Sequence, residues 1–434
     1  MAATITPEIE AAVRFLEELF DPVPLHKVAF RLWDGTLWPD EEVRPATLVL
    51  KHSGALREMF GAGTEKGLAE AFLRDDFDIE GDAESAFEIA DALGQRRGGW
   101  LKSLQTYYRL SRLPAERSAH TAGRIFFGKN GDRHSLSRDR QAVSFHYDLS
   151  NDFYRLWLDR RMLYSCAYFE RIEEGIDEAQ ERKLWHVCRK LRLRPGQRLL
   201  DIGCGWGGLA LFAAQHFGVR VTGVTLSDSQ AKFASECVRA ALPAGTVTIQ
   251  LKDYRELAGS EPFDAIVSVG MSEHVGENQL PNYFKTVDAL LKPGGIFLNH
   301  AIGEGVRLRQ RVGPSFMDEY VFPDSAIPPL PEVLQAAESA RFEVRDVENL
   351  REHYALTLRH WIHRLEAAHD EALTFVDEAT FRVWRLYMGG SAHGFASGQL
   401  AIYQVLLSKP DAVGRSDLPL TRRDWYDAKY ENGA

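Results

Sequence analysis

The residues of this chain best placed to do chemistry lie where an apolar run breaks into glycines, Leu199-Leu200-Asp201-Ile202-Gly203-Cys204-Gly205-Trp206-Gly207-Gly208. Gly203, Gly205 and Gly207 carry no β-carbon to obstruct a bound group, and Asp201, at the end of the run, can accept hydrogen bonds from a donor-bearing ligand. A helical pattern follows from Leu209 to Phe217, which is how a buried strand delivers a tight turn and a helix beneath a nucleotide-like ligand. Glycine spacing alone is shared with dinucleotide-binding proteins and plain strand-to-helix turns. A second strand pattern, Val219 to Thr225, ends in Thr225-Leu226-Ser227-Asp228-Ser229-Gln230. A dinucleotide fold places an acidic residue on the ribose roughly twenty positions beyond its glycines, where this chain has Thr225 and Gln230. The remaining candidates are single residues, each of which has a simpler reading alone. Glu273 reads as a cap, His300 and Tyr354 as structural side chains, and Cys166 as a small buried hydrophobe.

The elements that must position these residues are strands alternating with helices. A helix from about Asp177 to Leu193, ended by Pro195-Gly196, leads into the glycine-rich strand. Strand patterns recur at Val247–Leu251 and Phe263–Ser268, and Lys292-Pro293-Gly294-Gly295 turns into another at Ile296–Ile302. Long helices run from about Glu352 to Ala396, and Ala401–Leu407 reads as a last strand. This alternation predicts a parallel sheet with its ligand at the carboxyl ends of the strands.

Upstream, residues 1–95 read as a small mixed module. Pro7–Phe20 has helical spacing, and Lys27–Leu32 and Ala46–Leu50 alternate like strands, with Asp34-Gly35 as a hairpin-type turn between them. The acidic run Asp75–Asp82 lacks the ligand spacing of a calcium loop and is expected to end by capping a helix near Ala83, so no metal site is predicted. From Arg96 to Arg140, eleven Lys or Arg face three acids, a net of +8 that leaves −18 on the remainder. Trp100, Leu101, Leu104, Tyr107, Tyr108, Ile125, Phe126 and Phe127 are interleaved with that charge. Such a segment either meets an anionic lipid surface or is a solvated linker.

At 434 residues the chain exceeds one typical domain. Its 45% hydrophobic and 26% charged content is that of a soluble globular protein. No apolar run nears the roughly 18 residues a membrane span requires, and the first residues lack a basic-then-apolar leader pattern, so a cytoplasmic protein is expected. Cys166, Cys188, Cys204 and Cys237 show no CxxC spacing, which points away from zinc and disulfides. A net charge of −10 argues against nucleic acid as a partner.

Seven segments, FHYDLSNDFY, MLYSCAYF, DIGCGWGG, TLSDSQ, VGMSEHVG, LNHAIG and YALTLRHW, occur in an order that resembles the cyclopropane-fatty-acyl-phospholipid synthases and the related mycolic acid cyclopropane synthases. The resemblance spans roughly Val143 to Pro410. It implies an α/β fold, a Rossmann-like class I methyltransferase with a mostly parallel, doubly wound sheet at 141–410. It further implies a small N-terminal α+β lipid-interacting domain at 1–95, while composition marks 96–140 as a basic linker and 411–434 is left as a C-terminal tail.

The implied cofactor is S-adenosylmethionine, with Tyr147, Gly203, Gly205, Thr225 and Gln230 at family positions. Asp201 and the Asp253-Tyr254 pair follow from general methyltransferase layout. The family's base is a bound bicarbonate, whose implied site here is Cys166, Glu273, His300, the backbone N–H of Ile302, and Tyr354. The implied reaction places a methyl group on a cis double bond of an unsaturated phospholipid acyl chain and closes a cyclopropane ring. A methylene- or methyl-branched product, and a non-catalytic lipid-binding protein on the same fold, are the alternatives. The expected setting is cytoplasmic, peripheral on the anionic inner membrane face, with a homodimer left open.

Overall fold

The computed structural model describes residues 6–21, 23–95, 104–118, 132, 134–147, 149–307, 316–416 and 418–426. Of the basic segment, Arg96, Arg97, Trp100, Leu101, Lys102, Arg124, Ile125, Phe126, Phe127, Lys129 and Arg133 lie outside the described residues. Two compact units are present. One comprises Met1–Phe126, Gln310–Pro323 and Leu365–His393, the other Phe127–Arg309, Asp324–Arg364 and Gly394–Ala434.

In the first unit, strands β1 (Val28–Arg31), β2 (Leu37–Trp38), β3 (Ala46–Leu50) and β4 (Phe77–Gly81) form a sheet in the order β2-β1-β3-β4. Helix Pro7–Phe20 opens with the Thr6 hydroxyl accepting the Ile9 N–H and buries Ile9, Ala12, Phe15, Leu16, Leu19 and Phe20, the stripe its spacing predicts. The Asp34-Gly35 turn differs from expectation. It joins β1 to the two-residue β2, because β1 and β3 run parallel and a tight hairpin cannot connect parallel strands.

The acidic run is also more structured than expected. Its centre is strand β4, and four of its acids, Asp75, Asp76, Asp78 and Glu80, are spent on cations of the same unit. Asp75 and Asp78 bind Arg382 at 2.7 and 3.2 Å, and Asp76 binds His52 at 3.0 Å. Asp82 accepts the Ser85 N–H at 3.2 Å, the expected cap, and opens a short 3-10 turn before helix Glu88–Gln95. Helix Leu104–Ser111 leaves Tyr107 and Tyr108 exposed. Arg109 is paired with Glu18 at 2.6 Å and Arg117 with Glu58 at 3.0 Å.

The second unit is built on a seven-stranded sheet of β5 (Arg198–Ile202), β6 (Arg220–Thr225), β7 (Val247–Leu251), β8 (Phe263–Val269), β9 (Leu291–Glu304), β10 (Glu343–Asn349) and β11 (Leu400–Ser408). The order is β10-β11-β9-β8-β5-β6-β7, with β11 antiparallel to both of its neighbours and every other pairing parallel. Successive side chains alternate between faces. Leu199, Val221, Val267, Leu298 and Leu406 pack with Val187, Phe212 and Ala213 of helices Ile176–Lys190 and Gly208–Phe217. Leu200, Val224, Ile266, Phe297 and Val405 pack with Tyr283, Phe284 and Ala337 of helices Leu280–Leu290 and Leu330–Ser339. Chain order reverses at β5, which has β6 on one side and β8 on the other, so the crevice opens at its carboxyl end.

Candidate active site

The carboxyl end of β5 delivers the glycine turn. Gly203 N–H and Cys204 N–H both donate to the Val224 carbonyl, at 2.9 and 3.0 Å, which ties the turn to β6. Gly205 has φ +54, and a β-carbon built there meets no protein atom within 4 Å, so it borders open space. At Gly208 a β-carbon would lie 2.7 Å from the Arg161 carbonyl oxygen, so that glycine serves close packing.

One cavity runs along this turn, and its wall includes all eight residues expected to hold the cofactor: Tyr147, Asp201, Gly203, Gly205, Thr225, Gln230, Asp253 and Tyr254. Asp201 is almost fully buried, and burial pushes its carboxyl up to about 7 against the opposing pull of Lys183. Its Oδ2 has no hydrogen-bond partner among the described residues. Thr225 donates its hydroxyl to Gln230 Oε1 at 2.8 Å and accepts the Ser227 N–H at 3.2 Å, leaving the Gln230 amide N–H groups as the donors the pair can offer. Asp253 is committed to Arg255, with Oδ1 receiving Nε at 2.8 Å and Oδ2 receiving a terminal guanidinium nitrogen at 2.7 Å. The Tyr147 ring meets those of Tyr164, Trp206 and His274 at 6.0–6.5 Å between centroids.

None of the five residues of the expected base site lines that cavity, although Met271 and His274, flanking Glu273, do. Hydrogen bonds and strand pairing nevertheless link the elements that carry them. Glu273 Oε1 accepts the Ile302 N–H at 2.8 Å. Ile302 lies opposite Ile402 across β9 and β11, and the Ile402 carbonyl accepts the Leu350 N–H at 2.9 Å. The Leu350 carbonyl in turn accepts the Tyr354 N–H at 3.1 Å and the Cys166 thiol at 3.8 Å. His300 sits two residues before Ile302 on β9, with Nδ1 3.3 Å from Gln404 Nε2. The expectation gave the Ile302 N–H to bicarbonate; here it is held by Glu273.

Burial sets the chemistry of these groups. It raises Glu273 to about 7, against the lowering by the Ile302 N–H. It lowers His300 to about 3, so the ring is neutral at physiological pH. Burial also lifts the Cys166 thiol far from ionisation, which removes it as a thiolate nucleophile. Glu273 Oε2 and His300 Nε2 are buried without partners among the described residues.

Ser165, Lys183, Trp206 and Arg255 also line the cavity and were missed. Ser165 and Trp206 lie inside MLYSCAYF and DIGCGWGG, so adjacency could have found them. Lys183 sits in a charge-rich helix whose buried side the sequence does not distinguish.

A family-wide profile for mycolic acid cyclopropane synthetase matches residues 134–405. A probable fatty acid methyltransferase of Pseudomonas putida is 39% identical over 403 residues, 91% of this chain and 95% of that protein. The cyclopropane-fatty-acyl-phospholipid synthase of Escherichia coli K12 is 41% identical over 264 residues, 61% of this chain and 66% of that one. The crystal structure of mycolic acid cyclopropane synthase CmaA1 complexed with SAH and CTAB matches with TM-score 0.59 and 34% identity, covering 62% of this chain and 97% of that one. With more than half its length matched by the family profile and a relative that aligns almost end to end, the chain belongs to the mycolic acid cyclopropane synthetase family and is an S-adenosylmethionine-dependent methyltransferase.

Proposed function

We propose that the chain methylates a cis double bond in an unsaturated acyl chain of a membrane phospholipid and closes a cyclopropane ring. S-adenosylmethionine supplies an electrophilic methyl group and bicarbonate a proton acceptor. The observation that supports this best is that two buried atoms, Glu273 Oε2 and His300 Nε2, have no partner among the described residues, with Glu273 lying in sequence between Met271 and His274 of the cavity wall. They are the acceptor and donor that a small oxyanion bearing one O–H requires. Gln404 Nε2 faces Nδ1 of a neutral His300, so the ring proton resides on Nε2 and can be donated. Tyr354 supplies a phenolic O–H, and Asp201, Thr225 and Gln230 would hold the cofactor. An alkene is a poor nucleophile, so alignment and exclusion of water supply much of the acceleration. Tyr147, Tyr164 and Trp206 offer aromatic faces to positive charge at the cavity wall.

A second reading has its own support. Two relatives that align over more than nine-tenths of the chain, from Pseudomonas putida and Mycobacterium tuberculosis, are named probable fatty acid methyltransferases. A methylene- or methyl-branched product on the same scaffold fits those names. Proton NMR of the lipid product separates the two, because cyclopropane ring protons have no counterpart in an exomethylene or a branched methyl.

No helix among the described residues is long and apolar enough to cross a membrane. The proposed access to substrate is peripheral, on the cytoplasmic face. The N-terminal module and the basic segment 96–140 would bring the protein to anionic lipid, with Tyr107 and Tyr108 at the headgroup boundary.

A further inference from the structure

Helix Ile176–Lys190 turns Lys183 inward, where it is 1% exposed and lines the same cavity as Asp201. Its ammonium donates to Ser165 Oγ at 2.7 Å, a neutral acceptor, and makes no ion pair among the described residues. An ammonium carries three donors, so two remain. Gln180, on the same helix, binds the carbonyls of Leu163 and Ser165 at 3.2 and 2.9 Å and so fixes Ser165 against Lys183. The nearby acid Asp159 is committed elsewhere, to the N–H groups of Leu163 and Arg161 at 2.7 and 2.9 Å. Asp201 Oδ2 has no hydrogen-bond partner among the described residues.

The cavity thus presents one buried carboxylate and one buried ammonium that feel each other's charge but share no salt bridge or hydrogen bond among the described residues. Burying each is costly, and a ligand that contacts both directly offsets more of that cost than their attraction at a distance. Their natural complement is a zwitterion with ammonium and carboxylate on one carbon.

We propose that Lys183 binds the α-carboxylate of the aminoacyl end of S-adenosylmethionine, with Ser165 Oγ beside it and Asp201 taking the α-ammonium. This rests on the reading of the cavity as the cofactor site and adds a residue that sequence reasoning did not identify. Asp159, Cys166, Asp201 and His300 are the titratable groups facing Lys183. Burial lowers Lys183 to about 8 and raises Asp201 to about 7, so the free protein holds both charges in the window between those values. Recognition of the carboxylate is lost as pH rises through 8 and the ammonium deprotonates.

The test is titration calorimetry of the full chain with S-adenosylhomocysteine and with methylthioadenosine, which has the nucleoside and sulfur but no aminoacyl end. Lys183→Met is expected to weaken S-adenosylhomocysteine about ten- to a hundredfold, the scale of a charge-assisted hydrogen bond, and to leave methylthioadenosine within about twofold. Lys183→Arg should recover part of the loss. Wild-type affinity for S-adenosylhomocysteine should decline above pH 8, a decline absent in Lys183→Met and absent for methylthioadenosine. Unchanged S-adenosylhomocysteine affinity in Lys183→Met, or equal weakening of both ligands, overturns the assignment of Lys183 alone. Failure of the wild type to bind either ligand overturns the cofactor reading and this inference with it.

Discussion

The Glu273 carboxylate accepts the Ile302 backbone N–H at 2.8 Å through one oxygen, while its other oxygen is buried with no hydrogen-bond partner among the described residues. This half-satisfied carboxylate is raised to about 7 by burial. Acting as an acceptor it must be ionised, so turnover should rise with pH through about 7. Glu273→Gln should lose turnover while keeping S-adenosylhomocysteine affinity, and bicarbonate depletion should mimic it in the wild type. Because the folded-state value lies above the unfolded one, the contribution of Glu273 to stability is fully present below about 4.5 and is lost as pH rises through 7. Glu273→Gln, whose amide oxygen can still accept the Ile302 N–H, should therefore be the more stable protein at pH 8, by about 1–3 kcal/mol. Urea unfolding at pH 5 and pH 8 checks this. Equal turnover in the variant, or a larger stability gain at pH 5 than at pH 8, contradicts it.

Two glycines of the same loop should fail in different ways. Gly205 borders open space at φ +54, so the Gly205→Val side chain strains the backbone but its β-carbon meets no protein atom, and the folded fraction of the variant should bind no S-adenosylhomocysteine. Gly208→Ala drives a β-carbon toward the Arg161 carbonyl and should lower stability, by about 1–3 kcal/mol. Calorimetry beside thermal unfolding separates the cases, and wild-type affinity in a folded Gly205→Val would sink the assignment of the loop.

Helix Ile176–Lys190 and strand β10 are joined by a buried ionic cluster. Lys190, fully buried, contacts Glu348 and Asp346, and His186 meets Glu348 at 2.7 Å. Burial opposes ionisation of Glu348, but His186 and Lys190 more than offset it and hold the carboxyl at about 2. Glu348→Ala leaves Lys190 with Asp346 alone and should cost about 3 kcal/mol in urea unfolding at pH 7. Since the folded value lies below the unfolded one, the wild-type contribution should fade as pH drops from about 4.5 toward 2. A loss below about 0.5 kcal/mol at pH 7 would show that the cluster is not stabilising.

Membrane contact should follow charge in the basic segment. Charges beyond about 8 Å are largely screened in physiological salt, so a local positive surface can act against a net charge of −10. Replacing Arg96, Arg97, Lys102, Arg109 and Arg112 by Gln should weaken sedimentation with anionic vesicles more than with neutral ones, and added salt should do the same to the wild type. Arg109→Gln alone should change little, because Glu18 already compensates that charge. Binding that ignores vesicle charge, salt and all five substitutions would leave the segment as a linker.

The parts of the fold that sequence reading captured are those whose local pattern agrees with their tertiary role. Strands β5 and β6 are apolar or β-branched runs ending at special residues, and their bounds fall within a residue of expectation. Strand β10 escaped notice because Glu343-Val344-Arg345-Asp346-Val347-Glu348 reads as a charged surface stretch, and its acids find their cations on a helix more than 150 residues earlier. Lys183 was invisible for the same reason. Among the base-site residues, the meeting of Cys166 and Tyr354 at the Leu350 carbonyl depends on β11 pairing with β9, a long-range register that no short motif encodes.

The most direct measurement is transfer of labelled methyl from S-adenosylmethionine to phospholipid vesicles, followed by mass spectrometry of the released acyl chains. Vesicles with cis-unsaturated chains should give label in the acyl chain and a mass gain of one methylene unit, while fully saturated vesicles and the Glu273→Gln variant should give neither. Label in the headgroup, equal labelling of saturated chains, or no transfer by a protein shown to bind S-adenosylhomocysteine would contradict the account.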